Sequence, residues 1–166
     1  MEHGCRLNTP LGPVLLSAED GALTGLRFVG QRYSPGEPPA LVSAAESPVF
    51  LETAAWLEAY FSGGAPAWSP PLCPRGTPFR LSVWEALRAI PYGETLSYGE
   101  LAANLTREHG GRVSARAVGG AVGRNPISLL IPCHRVLGAD GSLTGYAGGV
   151  ERKRLLLLLE QGRPLL

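Results

Sequence analysis

The chain has 166 residues, 45% hydrophobic and 17% charged, with 15 lysines and arginines against 14 acids. That length holds one ordinary domain or two small ones with a packed core. No apolar run is long enough to cross a bilayer, since the leucine run 155–159 is far too short. The near-neutral total hides an asymmetry: residues 1–75 carry four arginines and seven acids, a net of −3, while residues 76–166 carry eleven basic residues and seven acids, a net of +4. A basic second half points to a polyanionic partner there. The start, Met1-Glu2-His3-Gly4, lacks the basic and apolar regions of a signal peptide. Cysteines at 5, 73 and 133 show no paired spacing, so the expected setting is a reducing cytosol without a disulfide framework.

The first thirty residues read as a β-meander. Strands are expected over 14–18 and 23–28, with Glu19-Asp20-Gly21 as the turn. Residues 34–45 are rich in Pro, Ser and Ala and read as a loop. Ser47-Pro48 has the form of an N-cap followed by proline in the first turn, opening a helix to about Phe61 that buries Phe50, Leu57 and Phe61 and stops at Ser62-Gly63-Gly64. Prolines at 66, 70, 71, 74 and 78 mark an extended linker over about 64–76. The expected division is therefore an N-terminal α/β domain over 1–75 and a second domain over 76–166. Cys5 and Cys73 have no neighbouring base and read as plain cysteines.

The second domain opens with Thr77-Pro78. Phe79, Val83, Leu87 and Ile90 recur at helical spacing and predict one core-facing side, with Trp84 as packing. Pro91-Tyr92-Gly93 ends this helix. Ser97 with Glu100 forms a capping box opening a helix to about Leu105. A loop of about eight residues, 106–113, follows and contains a solvent-exposed His109. Ser114 caps the next helix, which runs through Gly123. Two short helices in succession, the second basic at its start, outline a helix-turn-helix with an unusually long connection. A final helix is expected from Gly148-Gly149 to near Gln161-Gly162.

Between these helices lies Leu129-Leu130-Ile131-Pro132-Cys133-His134-Arg135-Val136. The apolar residues should bury Cys133, Pro132 restricts the backbone before it, and His134 stands beside it. A lone cysteine is ordinarily a small core residue. A thiol beside a base or a positive charge becomes a nucleophile as its thiolate. The helix from Ser114 is built almost wholly of small residues, Ala115, Ala117, Gly119, Gly120 and Ala121, at a cost of about 1 kcal/mol for each glycine relative to alanine. Close helix packing and close approach to a ligand explain that composition equally well.

The stretch from Asn125 to Val136 resembles the active-site signature of the O6-alkylguanine-DNA alkyltransferases. Pro91-Tyr92-Gly93-Glu94-Thr95 with Ser97-Tyr98, Ala115-Arg116-Ala117-Val118-Gly119-Gly120-Ala121, and Thr144-Gly145-Tyr146-Ala147-Gly148-Gly149 extend the likeness in family order across about the last ninety residues. The resemblance implies a ribonuclease-H-like α/β domain followed by a mainly helical, winged-helix-like DNA-binding domain. It implies repair of O6-alkylguanine in double-stranded DNA by one-step, irreversible transfer of the alkyl group to Cys133, with O4-alkylthymine open as a second lesion.

Carried over residue by residue, the resemblance makes Cys133 the nucleophile and acceptor, His134 the base acting through a water, and Glu160 the residue that orients His134. Tyr98 contacts the phosphate and donates a proton to guanine N3, and Asn125 supports the active-site turn. Arg116 is the finger that replaces the flipped nucleotide, with Ala115, Ala117, Gly119 and Tyr98 against the DNA. Pro132, Val136, Tyr146 and Ala147 line the base pocket, the carbonyls of Cys133 and Val136 reading the exocyclic amine. Arg135 is expected to be structural or to face a phosphate. Glu160 stands in the last turn of its helix, where the dipole disfavours an acid, so a partner is expected, and His134 would be one; a plain surface glutamate is the alternative.

No cofactor is implied, because the thiolate displaces the alkyl group unaided. No metal is expected, since His3, Cys5 and Cys73 are too few for a closed four-ligand site. The implied protein is a monomer without a membrane, in the cytoplasm or, in a eukaryote, with nuclear DNA. A lesion-binding relative would lack the cysteine, a DNA-binding regulator would need no thiol, and a cysteine hydrolase would need an oxyanion-stabilising glycine motif that does not flank Cys133.

Overall fold

Residues 1–32 and 40–163 are described by the computed structural model, and they begin with an antiparallel meander of three strands: β1 (His3–Thr9), β2 (Gly12–Glu19) and β3 (Ala22–Phe28), in that order. Asp20 and Gly21 both take positive φ, 51° and 77°, the backbone a two-residue hairpin loop needs. Neither outer strand is left with a free edge. Gly4 of β1 exchanges hydrogen bonds with Ala40 and Val42. On β3, Leu23 is bridged by the linker, its N–H donating to Pro71 and its carbonyl accepting from Cys73, and Leu26 is bridged in the same way by Pro126 and Ser128. The sheet is therefore continuous with the segment that leads to Cys133. Of the expected loop 34–45, residues 34–39 lie outside the described residues, and the rest contains a 3-10 turn, Ala44–Glu46, with its own capping box from Ser43.

Helix α1 (Pro48–Phe61) packs on all three strands. Ser47 precedes it, but its side chain makes no cap; the hydroxyl instead lies 3.5 Å from His3 Nε2. Phe50 and Leu57 are buried as expected, whereas Phe61 is only partly buried, and Trp56 and Tyr60 fill the inner face of the last turns instead. The proline-rich segment then runs extended to Thr77. Gly76 lies so close to Trp84 that a Cβ there would meet the indole at 2.5 Å, so this position accepts no larger residue without repacking.

Helix α2 (Pro78–Arg88) is capped by Thr77, which accepts from the Arg80 N–H. Val83 and Leu87 are buried, but Phe79 is 39% exposed, because it stands in the first turn on the rim of the groove between this helix and residues 117–124. Trp84 is 2% exposed and donates its indole N–H to Ala121 O at 2.8 Å. A two-residue strand β4 (Leu96–Ser97) pairs in parallel with β5 (Val136–Leu137), tying the start of the next helix to the residues just after Cys133.

Helix α3 (Tyr98–His109) has the expected capping box and continues four residues beyond Leu105. His109 is thus in the last helical turn rather than in a loop. Thr106 holds that turn in place, donating to Ala102 O and accepting from Val113 N, and Gly110 at φ 72° closes the helix. The apparent insertion is absorbed as extra helix, and the connection to α4 (Ala115–Gly123) is only residues 110–114. α4 is capped by Ser114 and packs on both α2 and α3. The last helix, α5 (Val150–Glu160), starts directly after Gly149, and one hydrophobic core runs from the sheet through α1 to α5. The architecture is an N-terminal sheet-and-helix unit and a mainly helical C-terminal unit, a mixed α/β fold.

Candidate active site

Residues 124–132, between α4 and the turn that carries Cys133, form neither helix nor strand, so their backbone groups need other partners. Asn125 supplies two: its Nδ2 donates to Ile131 O at 2.8 Å and its Oδ1 accepts from Ile127 N at 3.0 Å, spanning the turn from within. Leu129 sits at φ 73°, an unfavourable conformation for a branched side chain, held by the burial of that side chain at 1% exposure. Pro132 then leads into a single 3-10 turn, Cys133–Arg135, whose three side chains are all buried. Burial pushes the Cys133 thiol above its ordinary value, opposed by a hydrogen bond from Asn125 and by the charge of Lys153.

His134 and Glu160, 26 residues apart, meet in the core. His134 Nε2 lies 2.6 Å from Glu160 Oε2, and their side chains are 0% and 1% exposed. Burial opposes ionisation of Glu160, but hydrogen bonds from His134, Arg135 and Tyr60 outweigh it and hold the carboxyl down at about 2. An ionised carboxylate only accepts, so Nε2 carries the proton. Burial also pulls the imidazole below its ordinary pKa, against the pull of Glu160, so the ring is neutral near pH 7. Nδ1 is then the basic nitrogen, and it makes no hydrogen bond among the described residues.

Arg135 turns inward. Its Nε and Nη2 reach Glu160 Oε1 and Oε2 at 2.8 and 3.1 Å, and Nη1 donates to Ile90 O at 2.7 Å. At 9% exposure it does not face a phosphate: the guanidinium supplies the buried counter-charge that Glu160, at the unfavourable end of α5, requires.

On the other side of Cys133, β4 and β5 bring Tyr98 close. Its hydroxyl donates to Thr144 O at 3.2 Å, and burial followed by the charge of Cys133 raises its pKa, so it remains protonated. Lys153, the single lysine in the chain, is wholly buried; Nζ donates to Val136 O at 2.5 Å and Thr144 O at 3.0 Å and lies 5.9 Å over the Tyr98 ring. Burial lowers its pKa to about 8, against the pull of Cys133. The Val136 carbonyl thus already holds a cation, and the Cys133 carbonyl already accepts from Val136 N. Tyr146 is buried with its hydroxyl unbonded among the described residues, and Gly148 is pressed between Tyr146 and Phe28, where a Cβ would meet Tyr146 at 2.7 Å. Ala147 O accepts from Arg32 N at 3.1 Å, anchoring this loop on the N-terminal unit.

Ala115, Arg116 and Ala117 are all exposed at the start of α4, while Gly119 lies against Tyr98 and would place a Cβ 3.8 Å from its ring. Small residues here serve both readings of the sequence at once: Val118, Ala121 and Val122 pack inward and the alanines and glycines leave the outer face bare.

A buried thiol next in sequence to an imidazole held by an ionised carboxylate, in the same unit as a helix with a bare outer face, has the parts of a cysteine-centred transfer site. Comparison with known proteins agrees. Residues 78–162 match the family described as 6-O-methylguanine DNA methyltransferase, DNA binding domain, and residues 6–72 its ribonuclease-like domain. A methylated-DNA–protein-cysteine methyltransferase of Mycobacterium tuberculosis is 44% identical over 98% of this chain and 94% of its own, and one of Methanosarcina acetivorans is 45% identical over 92% and 94%. The crystal structure of Mycobacterium tuberculosis OGT in complex with DNA superposes with a TM-score of 0.83, at 42% identity over 98% of this chain and 95% of that one. The chain belongs to the O6-methylguanine DNA methyltransferase family.

Sequence reasoning missed Tyr60 and Lys153 and left Arg135 open between a structural and a phosphate-facing role, of which the buried pair with Glu160 fits the structural one. For Lys153 a signal existed: one lysine among fourteen arginines, on the inner face of a helix. For Tyr60 there was none, because its partners lie 74 and 100 residues away.

Proposed function

We propose that the protein repairs O6-alkylguanine in duplex DNA through Cys133, with each side chain in the role its surroundings suit. The observation that carries the reading is the neutral His134 locked through Nε2 on an ionised Glu160, next in sequence to a buried thiol. Such a pair leaves one basic nitrogen to take the thiol proton through a water. The ammonium of Lys153 favours the resulting thiolate electrostatically.

The thiolate sulfur attacks the alkyl carbon. The S–C bond forms as the C–O6 bond breaks, and the electron pair passes to the purine. Tyr98 donates to guanine N3 as the leaving group takes charge; overall the thiol proton ends on the restored guanine. A base inside a duplex cannot reach a thiol 5% exposed, so the nucleotide must be extruded, with Arg116 entering the space it leaves and Ala115, Ala117 and Gly119 allowing close approach. Tyr146, Ala147, Pro132 and Val136 then line the base pocket. The protein acts as a monomer in the compartment that holds the DNA, the cytoplasm in a bacterium, and needs no cofactor.

Intact mass after incubation with excess O6-methylguanine duplex tests this reading. One methyl group per molecule on Cys133, product equal to protein, and none in Cys133→Ala is the expected result. Product well beyond one equivalent would overturn single-use transfer. Cys133→Ala should retain DNA affinity, which comes from phosphate contacts.

A further inference from the structure

Tyr60 belongs to α1, in the half of the chain that carries none of the site motifs, yet its hydroxyl sits at the centre of the acid–base network. Its Oη donates to Glu160 Oε2 at 2.6 Å and lies 3.4 Å from His134 Nε2. The same carboxylate oxygen accepts from His134 at 2.6 Å. The ring is fully buried, stacked on Trp56 at 5.1 Å and edge-on to His134 and Tyr92 at 6.5 and 6.1 Å, so the phenol has one position to occupy. Burial, then the charge of Glu160, pushes its pKa far up, so the hydroxyl is a permanent donor.

We propose that Tyr60 is a positioning residue for alkyl transfer: an N-terminal hydroxyl that shares Glu160 Oε2 with His134 and holds the imidazole–carboxylate pair in register for the thiol proton. The proposal rests on His134 being the base. With Arg135 Nη2 at 3.1 Å, three donors meet on Oε2, and donors that share one oxygen compete for its electron density. The phenol therefore weakens the grip of Glu160 on the Nε2 proton and keeps the neutral ring from being captured as imidazolium. It also fixes the carboxylate plane, since the other oxygen is already taken by Arg135 Nε at 2.8 Å and Gly93 N at 3.2 Å. The charged and titratable groups about the imidazole are Glu160 and Lys153 from α5, Cys133 and Arg135 from its own turn, Tyr60 from α1, and Tyr92 and Tyr146 from the adjoining loops. Tyr60 is the member through which the N-terminal unit reaches the chemistry.

The test is single-turnover transfer from an O6-methylguanine oligonucleotide at saturating protein, from about pH 5 to 9, in Tyr60→Phe, Glu160→Gln, their double variant and His134→Ala of the full chain. Tyr60→Phe should lower the plateau rate roughly three- to tenfold, leave DNA affinity unchanged, and move the acid limb to higher pH, because a Glu160 oxygen relieved of one of its donors raises the basicity of His134. Added to Glu160→Gln it should do little more, since both act through one carboxylate. Site-specific 3-fluorotyrosine at position 60, a stronger donor of nearly the same shape, should move the acid limb the other way, and it decides the matter if Tyr60→Phe does not fold. A Tyr60→Phe profile superimposable on the parent while Glu160→Gln is impaired overturns the role of Tyr60 alone. Unchanged profiles in Tyr60→Phe, Glu160→Gln and His134→Ala together overturn the acid–base reading on which it rests. Effects of Tyr60→Phe and Glu160→Gln that add in full also overturn it.

Discussion

Arg135 and Glu160 are joined at both oxygens of the carboxylate, Nε to Oε1 at 2.8 Å and Nη2 to Oε2 at 3.1 Å, with the guanidinium 5.7 Å from the centre of the Tyr92 ring. The pair connects the turn that carries Cys133 to the last residue of α5, so the same ion pair that completes the fold also sets the carboxylate under His134.

Breaking that pair from one side strands a buried charge. Arg135→Ala should destabilise the protein by about 3–5 kcal/mol, read as a lower midpoint of urea unfolding. Arg135→Lys should recover only part of the loss, because an ammonium cannot span both oxygens. A change within about 0.5 kcal/mol would mean that the pair adds nothing to folding.

The acid limb of stability follows from two depressed pKa values. His134 is held below its unfolded value and Glu160 near 2 against an ordinary 4.5. In both cases the unfolded chain binds the proton more readily, so stability is complete above the unfolded pKa and lost as pH falls. The decline should begin near the ordinary histidine value of about 6.5 and steepen below about 4.5. Glu160→Gln should flatten the lower part and His134→Ala the upper. Melting temperatures across this range that fall in parallel for all three proteins would contradict the assignment.

Lys153 offers a separate handle, since its Nζ holds the carbonyls of Val136 and Thr144. Lys153→Met keeps the length of the side chain and removes three donors. Thr144 O keeps the Tyr98 hydroxyl, but depriving the buried Val136 carbonyl of this donor should cost about 1–3 kcal/mol, and losing the cation should raise the apparent pKa of Cys133, measured as thiol alkylation rate against pH. An unmoved alkylation profile would limit Lys153 to structure.

Arg116 is exposed and lies outside the buried network. Arg116→Ala should therefore leave melting unchanged and slow repair of duplex DNA far more than reaction with the free base O6-benzylguanine, which requires no extrusion. Equal slowing on both substrates would place Arg116 in the pocket or the fold.

Alkylation itself should register as strain. Cys133 is 5% exposed, and Pro132 and Val136, which flank its turn, are buried too. Adding even one carbon to a filled site typically costs about 1–3 kcal/mol, so the spent protein should melt below the unreacted one, and a benzyl adduct lower still. A spent protein that melts no lower would show that the pocket already has room for the group.

The sequence by itself determined the local features. The hairpin at Asp20-Gly21, the caps at Ser97 and Ser114, the proline starts of α1 and α2 and the buried apolar run before Cys133 all follow from interactions within a few residues, which a linear pattern records. Helix ends were less legible. The last turn of α3 depends on Thr106 bonding to Val113 across the connection, and the exposure of Phe79 depends on how far α4 reaches along α2. The active network lay largely outside that reach. His134 stands beside Cys133 in the chain, but the side chains that hold it come from α1 and α5, up to 100 residues apart, and whether Arg135 points to solvent or to Glu160 is settled only when α5 folds over the turn. Burial made the decision in each case: a carboxylate in the core must collect every donor within reach, and which donors are within reach is a property of the packed molecule alone.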